Sequence, residues 1–496
     1  MAIESCCYLV FSLVGLFFLA LFFIPSRKNQ LYPKSHPLIG SLLEFIRNRD
    51  RLIQWTCEIF DKSSSSTYTL EAPLGRNIII TKDPSNVKHI LKTRFDNYLK
   101  ESTLKAALSD FFREGLFLVD GSEWKSKKQT LRHAFDPNAF HAYISVAEEE
   151  LPGRLLPFLS NIAAQENATI DLQNTFKRLT FDLIFRIGFG FDPKYLLPSL
   201  PSTPLAYTFK TALILSIFRY ITLPLIWKAK RFFNTESEKR LRIMVDEFHK
   251  FAGNIIVEKK ERLAAITDFE DKDLLARVMT RAQGDQLDDA FLIDAFTNFV
   301  LAGQDTLCSA LSWLFWQIST NPNVEQEIVR EISEKDRLND MVYTHACIYE
   351  SMRLHPPIPL NTKEAAEDDV WPDGTKVKKG TTIIYHIYAM GRSQELWGSD
   401  WADFRPERWL EKRRSSTGTY VWNFIARDAF TYPVFQAGPR TCLGKEIAVM
   451  LIKMVVATIL KRFRVIPAQD NFSPHYAIFI ASRIRHGFPV RIIERH

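Results

Sequence analysis

Residues 435–444 read Phe-Gln-Ala-Gly-Pro-Arg-Thr-Cys-Leu-Gly, which sets Cys442 at fixed offsets from Phe435, Gly438, Arg440 and Gly444. With average residue usage, five such positions coincide by chance in a chain of 496 residues about once in ten thousand sequences. A glycine ahead of the cysteine permits a tight turn that aims backbone N–H groups at the sulfur, and such donors tune a metal-bound thiolate. Residues 445–463 carry apolar side chains at helical spacing and predict a helix that starts at Gly444. Phe435 is placed to shield the sulfur and Arg440 to pair with an anionic group beside it. An inert buried cysteine in an ordinary turn is the competing reading.

Two further patterns lie upstream, in a fixed order. Ala302-Gly303-Gln304-Asp305-Thr306 falls inside an apolar helical run over residues 287–318. Its threonine hydroxyl can bond the carbonyl four residues earlier, that of Ala302, bending the helix and opening room beside Gly303. Glu350-Ser351-Met352-Arg353 precedes Phe404-Arg405-Pro406-Glu407-Arg408-Trp409 by about fifty residues. Helical positions three apart share a face, so Glu350 and Arg353 can pair and Arg408 can complete a charged triad.

The cysteine turn resembles the FxxGxRxCxG signature of the cytochrome P-450 superfamily. The other two patterns resemble its ExxR and PERF-type motifs and its central-helix oxygen groove, and the resemblance spans nearly the whole chain. It implies a mainly α cytochrome P-450 fold: a large helical domain with a small β-rich amino-terminal region, preceded by one transmembrane helix. It implies haem b with Cys442 as iron ligand, and a thiolate ligand favours O–O cleavage over reversible oxygen carriage. Dioxygen cleavage consumes two protons, and Asp305 beside Thr306 is an acid–alcohol pair able to relay them. Trp124 and Lys128 resemble the WxxxR propionate grip, with lysine losing arginine's bidentate fork. Lys363 stands where relatives place another basic propionate partner. Electrons are expected from NADPH through an NADPH-cytochrome reductase.

The motifs span three hundred residues yet must converge on one ring, so a single large catalytic domain over 41–496 is expected. Its 38 phenylalanines give a large core and an apolar pocket. Residues 67–70 and 77–81 read as strands of a small amino-terminal sheet.

Residues 5–26 carry no charge, and their 19-residue apolar core is roughly 28 Å long as a helix, against a hydrocarbon thickness of about 30 Å. Arg27, Lys28 and Lys34 follow it. The positive-inside rule then predicts a membrane anchor over 1–26, a proline-containing hinge over 27–40 and a cytosolic catalytic domain at the endoplasmic reticulum membrane, single-pass and in contact with membrane lipid.

Six cysteines without disulfide or zinc spacing fit a reducing compartment. The net charge of +7 is dispersed and no nucleic-acid motif accompanies it. Lys125, Lys127, Arg132, Lys445 and Lys453 are expected around the thiolate side as a reductase-docking face. Residues 209–227, apolar and followed by Lys228, Lys230 and Arg231, fit either a bilayer-dipping segment or a core helix pair.

The wording around the cysteine, with Trp371 to Thr375, looks most like plant fatty-acid ω-hydroxylases and their family-94 relatives. That resemblance implies hydroxylation at the terminal region of an aliphatic chain, with steroid side chains and jasmonate-amino-acid conjugates as alternatives; a non-oxygenating membrane haem protein is the alternative of another class. Expected pocket walls are Phe111, Phe112, Phe117, Phe299, Ile358, Leu360, Phe479 and Ile480. Lys105, Arg113 and Arg219 are the basic residues available to an anionic head group.

Overall fold

The computed structural model describes residues 33–495 apart from 34, 37–38, 74–76, 137–139, 266–272, 282–286, 336 and 415–419. The anchor expected over 1–26 and most of the hinge lie outside the described residues. Among the described residues no helix is long and apolar enough to cross a membrane.

The fold is mainly helical, and nine helices position the site: α1 (Ser102–Phe112), α2 (Gly121–Arg132), α3 (Leu172–Phe189), α4 (Pro204–Ile221), α5 (Pro224–Phe232), α6 (Glu236–Ala265), α7 (Asp289–Thr320), α8 (Val342–Leu354) and α9 (Lys445–Arg462). The 32-residue α7 is about 48 Å long and runs through the middle of the core. Asp288 caps it, its carboxylate accepting from the Phe291 N–H at 2.7 Å. Helix α3 packs along it through phenylalanine pairs, Phe176–Phe315 at 5.1 Å and Phe185–Phe296 at 5.8 Å between ring centroids. Phe248 of α6 reaches Phe296 at 5.8 Å. The abundant phenylalanines thus join three long helices, each ring removing a large apolar area from water.

The sheet corrects one expectation. Strands β1 (Thr67–Glu71), β2 (Asn77–Thr81) and β3 (Tyr98–Leu99) are amino-terminal, but β4 (Asn361–Ala365) and β5 (Thr382–Tyr385) join them in the order β1-β2-β5-β4-β3. The β2 strand pairs in parallel with β5, Ile79 opposite Ile383 and Ile80 opposite Ile384. Ile79, Ile80 and Thr81 are buried, so their backbone groups need partners on both edges, and a parallel partner must come from a distant segment. A hairpin of Tyr476–Ile478 and Ser482–Ile484 closes the opposite side. Its Ser482 N–H donates to Pro357 O, and its hydroxyl bonds Ser309 of α7, both at 2.7 Å.

Candidate active site

The cysteine turn is built on one glycine requirement. Gly438 has φ +64°, and a Cβ there would lie 2.2 Å from Leu91 O, so only glycine allows this approach. The Cys442 N–H donates to Phe435 O at 2.9 Å, closing the turn, and the Gly444 N–H is directed at the sulfur. At Gly444 a Cβ would meet Phe135 at an ordinary 3.6 Å; any need for glycine there comes from something other than protein atoms.

Cys442 is solvent-accessible, yet burial raises its thiol pKa. Both hold for a group on the concave wall of a hollow. Ala302 behaves alike, exposed in mid-helix between buried Val300 and Gln304. Phe135 links the two walls: its ring lies 5.8 Å from Phe299, one turn before Ala302, and packs beside Gly444, two residues after the cysteine. The hollow therefore lies between α7 and the cysteine turn.

On the α7 wall the Thr306 hydroxyl donates to Ala302 O at 2.5 Å. Gly303 corrects the expectation of open space beside it: its missing Cβ would lie 2.3 Å from Ile184 Cδ1, so this glycine brings α3 and α7 together. The open side is at Ala302 and Thr306. Burial raises the Asp305 pKa, with Lys177, Arg483 and Lys210 opposing, which leaves an acid that releases its proton less readily than an exposed carboxyl.

A cation cluster lies beside the turn. Arg440 stacks over Trp124 at 4.5 Å, and its Nη2 donates to Asp120 Oδ1 at 2.6 Å. Lys105 Nζ reaches Asp120 at 2.6 Å, and the Lys100 N–H donates to the same carboxylate. Lys363, 2% exposed, has no hydrogen-bond partner at Nζ, and Arg440 Nε is likewise buried and unpartnered. Burial, then Lys100 and Arg440, push Lys363 well below the usual lysine range; burial and Arg440 push Lys100 down to about 8. Four cations face Asp120, an excess of buried positive charge that calls for anionic oxygens. The two propionates of haem would supply them. The thiol, the hollow and these orphaned donors fit haem iron, with Cys442 as its ligand and Lys363 and Arg440 as propionate partners. Lys128 lies over the Trp124 ring at 5.4 Å and donates to Pro439 O, which ties α2 to the cysteine turn.

Glu350 and Arg353 are both 0% exposed. Arg353 Nε and Nη2 donate to the two Glu350 oxygens at 2.8 Å each, a bidentate pair. Arg408 Nε donates to Glu350 Oε1 at 2.7 Å and Trp409 Nε1 to Oε2 at 2.9 Å. Arg353 also donates to the carbonyls of Gly391, Trp401 and Asp403, so it nails the segment carrying Arg408 to α8. Lys100 and Asp120 carry no motif in the sequence, whereas Trp409 ends the Phe404–Trp409 pattern without a role of its own being legible there.

Several expected surfaces differ. Phe111 and Phe112 are core residues without accessible area; Phe111 packs on Phe209 and Phe248 at 5.6 and 5.5 Å, because that face of α1 meets α4 and α6. Phe299 is buried against Phe135, whereas Phe117, Ile358, Leu360, Phe479 and Ile480 keep accessible area. Lys453 is buried with Nζ donating to Leu338 O at 2.9 Å, so it cannot belong to a docking face, and Lys127 is paired with Glu123 at 2.7 Å. Lys105, Arg113 and Arg219 are each engaged by carboxylates: Asp120, Asp294 and the Asp110–Glu238 pair.

A thiol on a glycine-built turn, facing a hollow ringed by uncompensated cations, defines a haem-thiolate protein. The chain belongs to the cytochrome P450 family, whose model, Cytochrome P450, matches residues 31–479. It is 45% identical over 472 residues to Cytochrome P450 94A1 of Vicia sativa, covering 93% of this chain and 90% of that one. With Cytochrome P450 94A2 of the same plant it shares 45% over 482 residues, covering 95% and 92%. With Cytochrome P450 94B1 of Arabidopsis thaliana it shares 37% over 504 residues, covering 98% and 97%. It is a cytochrome P450 monooxygenase of the family-94 group, working with haem iron, dioxygen, a redox partner and a substrate.

Proposed function

We propose that the protein hydroxylates the terminal region of an aliphatic chain, most simply that of a fatty acid or related lipid. The observation that carries this reading is the pairing of an exposed Thr306–Ala302 wall with an accessible Cys442 across one hollow, in a chain that resembles fatty-acid ω-hydroxylases. Phe117, Ile358, Leu360, Phe479 and Ile480 keep apolar area open, which suits a methyl terminus.

Bound haem b supplies dioxygen activation, with electrons from NADPH delivered by a reductase. The chain's own residues do the rest. Lys363 and Arg440 hold the propionates, Lys128 and Trp124 brace the turn, and the Gly444 N–H tempers the charge on Cys442 sulfur. Asp305 holds a proton that Thr306 hands on from its hydroxyl, while the ring cluster around Phe299 keeps bulk water away. The Glu350–Arg353–Arg408 triad has a structural part, fixing α8 against the segment ahead of the turn.

Residues 1–26 are read as a single-pass anchor in the endoplasmic reticulum membrane, the catalytic domain lying in the cytosol. The surface of α4 and α5 supports a second contact with lipid: Ile221, Leu223, Leu225, Phe232 and Phe233 are exposed together beside Lys228, Lys230 and Arg231.

Microsomes carrying the protein, reductase and NADPH, incubated with long-chain acids, jasmonoyl conjugates and side-chain sterols, test the reading. Terminal alcohols from the acids, absent with Cys442→Ser, support it. Products from the conjugates or sterols alone would move the substrate class, and no NADPH-dependent product from any of them would overturn the reading.

A further inference from the structure

Asp294, Asn298, Ala302 and Thr306 follow one another at every fourth position of α7 and so form a single ridge along the helix. Its two halves differ. Asp294 and Asn298 are 6% and 3% exposed, whereas Ala302 is exposed and Thr306 half-buried, so the ridge passes from a covered half to the half that faces the hollow. The cover is the loop over residues 113–120, which joins α1 to α2.

The loop is fixed on α7 at several points. Arg113 Nε lies 3.5 Å from Asp294 Oδ1, and the Glu114 N–H is directed at the same carboxylate. Gly115 packs so closely on the Asn298 amide that a Cβ there would lie 2.0 Å from Nδ2. The Phe117 N–H donates to Asn298 Oδ1 at 3.3 Å, while Asn298 Nδ2 donates to Asp294 O at 2.6 Å. Both ends of this amide are used, so it cannot turn over without leaving a buried polar group unpaired. Arg113 adopts φ +45° and ψ −120°, a conformation that a residue other than glycine keeps only where its surroundings hold it.

The other end of the loop is fixed as well. Arg440 Nη2 donates to Val119 O at 3.0 Å and to Asp120 Oδ1 at 2.6 Å, and Leu118 and Val119 are buried. Residues 117–120 therefore bridge α7 and the cysteine turn, the two walls of the hollow. Phe117 keeps accessible area at the α7 end of this bridge, with its backbone anchored one helical turn, about 6 Å along the axis, from Ala302. A wall pinned at both ends cannot retreat to make room for a wide group.

We propose that Asn298 is a positioning residue: by holding the Phe117 backbone it keeps that ring beside the Ala302–Thr306 wall, so that the hollow admits a slender chain end and refuses a wide one. The selection is set from α7 and not by the loop alone. It rests on the haem site described above and is independent of which aliphatic chain is oxidised.

The test titrates the full-length haem-loaded protein with two imidazoles that ligate iron through nitrogen, N-dodecylimidazole and N-tritylimidazole, following the Soret shift. The wild type is expected to bind the dodecyl compound about tenfold more tightly or better. Asn298→Ala should lower the Kd for the trityl compound about tenfold and leave that for the dodecyl compound within about twofold. Gly115→Ala, which displaces the Asn298 amide from the loop side, should act alike, and it decides the matter if Asn298→Ala does not hold haem. Phe117→Ala should reproduce the change, and adding Asn298→Ala to it should change nothing further, because both act on one ring. An Asn298 that only supports the fold would weaken both imidazoles together, or add its full effect in the Phe117→Ala background, and either result overturns the inference. An unchanged ratio in both Asn298→Ala and Gly115→Ala overturns it too, as does a wild type that does not prefer the slender compound.

Discussion

Arg440 Nη2 and Asp120 Oδ1 meet at 2.6 Å, joining the cysteine turn to the residue that opens α2 across 320 positions of sequence. Burial works against ionised Asp120, but Lys105, the Lys100 N–H and Arg440 together hold its carboxyl below the usual range. Because the folded pKa is lowered, this stabilisation is present above the unfolded value near 3.9 and is lost as pH falls through the folded one. Asp120→Ala should lower stability by about 2–3 kcal/mol at neutral pH, read from denaturant midpoints, with the deficit shrinking below about pH 4.

Lys363 gives the opposite sign. Its ammonium is buried without a partner, so Lys363→Met should make the haem-free chain more stable by about 1–2 kcal/mol while weakening haem retention. Thermal melts of the apoprotein and haem transfer to apomyoglobin separate the two effects. A less stable apoprotein would mean that the lysine is already satisfied within the chain.

Glu350 accepts from Arg353, Arg408, Trp409 and the Arg405 N–H. Truncation to alanine strands two buried guanidinium groups, and a loss of about 3–5 kcal/mol is expected. Glu350→Ala should be recovered without haem or not at all; a soluble variant with a normal carbon monoxide spectrum would contradict the triad's role.

Thr306→Ala removes the hydroxyl bonded to Ala302 and should leave NADPH consumption within about twofold of wild type, while product falls about tenfold or more and peroxide appears. Asp305→Asn should slow turnover itself, since it removes the proton source ahead of that hydroxyl. Stoichiometry of NADPH, peroxide and product distinguishes them, and unchanged coupling in Thr306→Ala would count against the relay.

Burial pushes His345 and His386 down to about 3 and holds His355, stacked on Trp313 at 4.1 Å, well below its ordinary value. All three are neutral when folded and titrate near 6.5 when unfolded. Stability is thus complete above about pH 6.5 and falls below it, by up to about 1.4 kcal/mol per pH unit for each histidine. Urea midpoints should drop steadily between about pH 7 and pH 5; a flat profile would mean that these rings already carry charge in the native state.

Local patterns carried the parts of the site that are contiguous in sequence. The Cys442 turn, the Asp305–Thr306 pair and the Glu350/Arg353 spacing are short-range geometries, set by a glycine's allowed φ or by helical period. Trp409, adjoining Arg408, was within reach of the same logic. Gly303 shows its limit, because the same missing Cβ serves an open groove or a close helix contact, and only Ile184 decides which.

The residues that carry the charge balance were not legible in this way. Lys453 and Lys228 are both lysines in apolar-basic helical stretches, yet one is buried on Leu338 and the other stands free beside Trp227. Lys105, Arg113 and Arg219 looked available until each met an acid from another segment. By itself the sequence determined the cysteine turn, the helical class and the family, since these rest on backbone geometry and on residue types at fixed spacing. Tertiary structure alone decided which cations are spent and which remain, because pairing depends on what distant segments bring within a few ångströms and how much water they exclude.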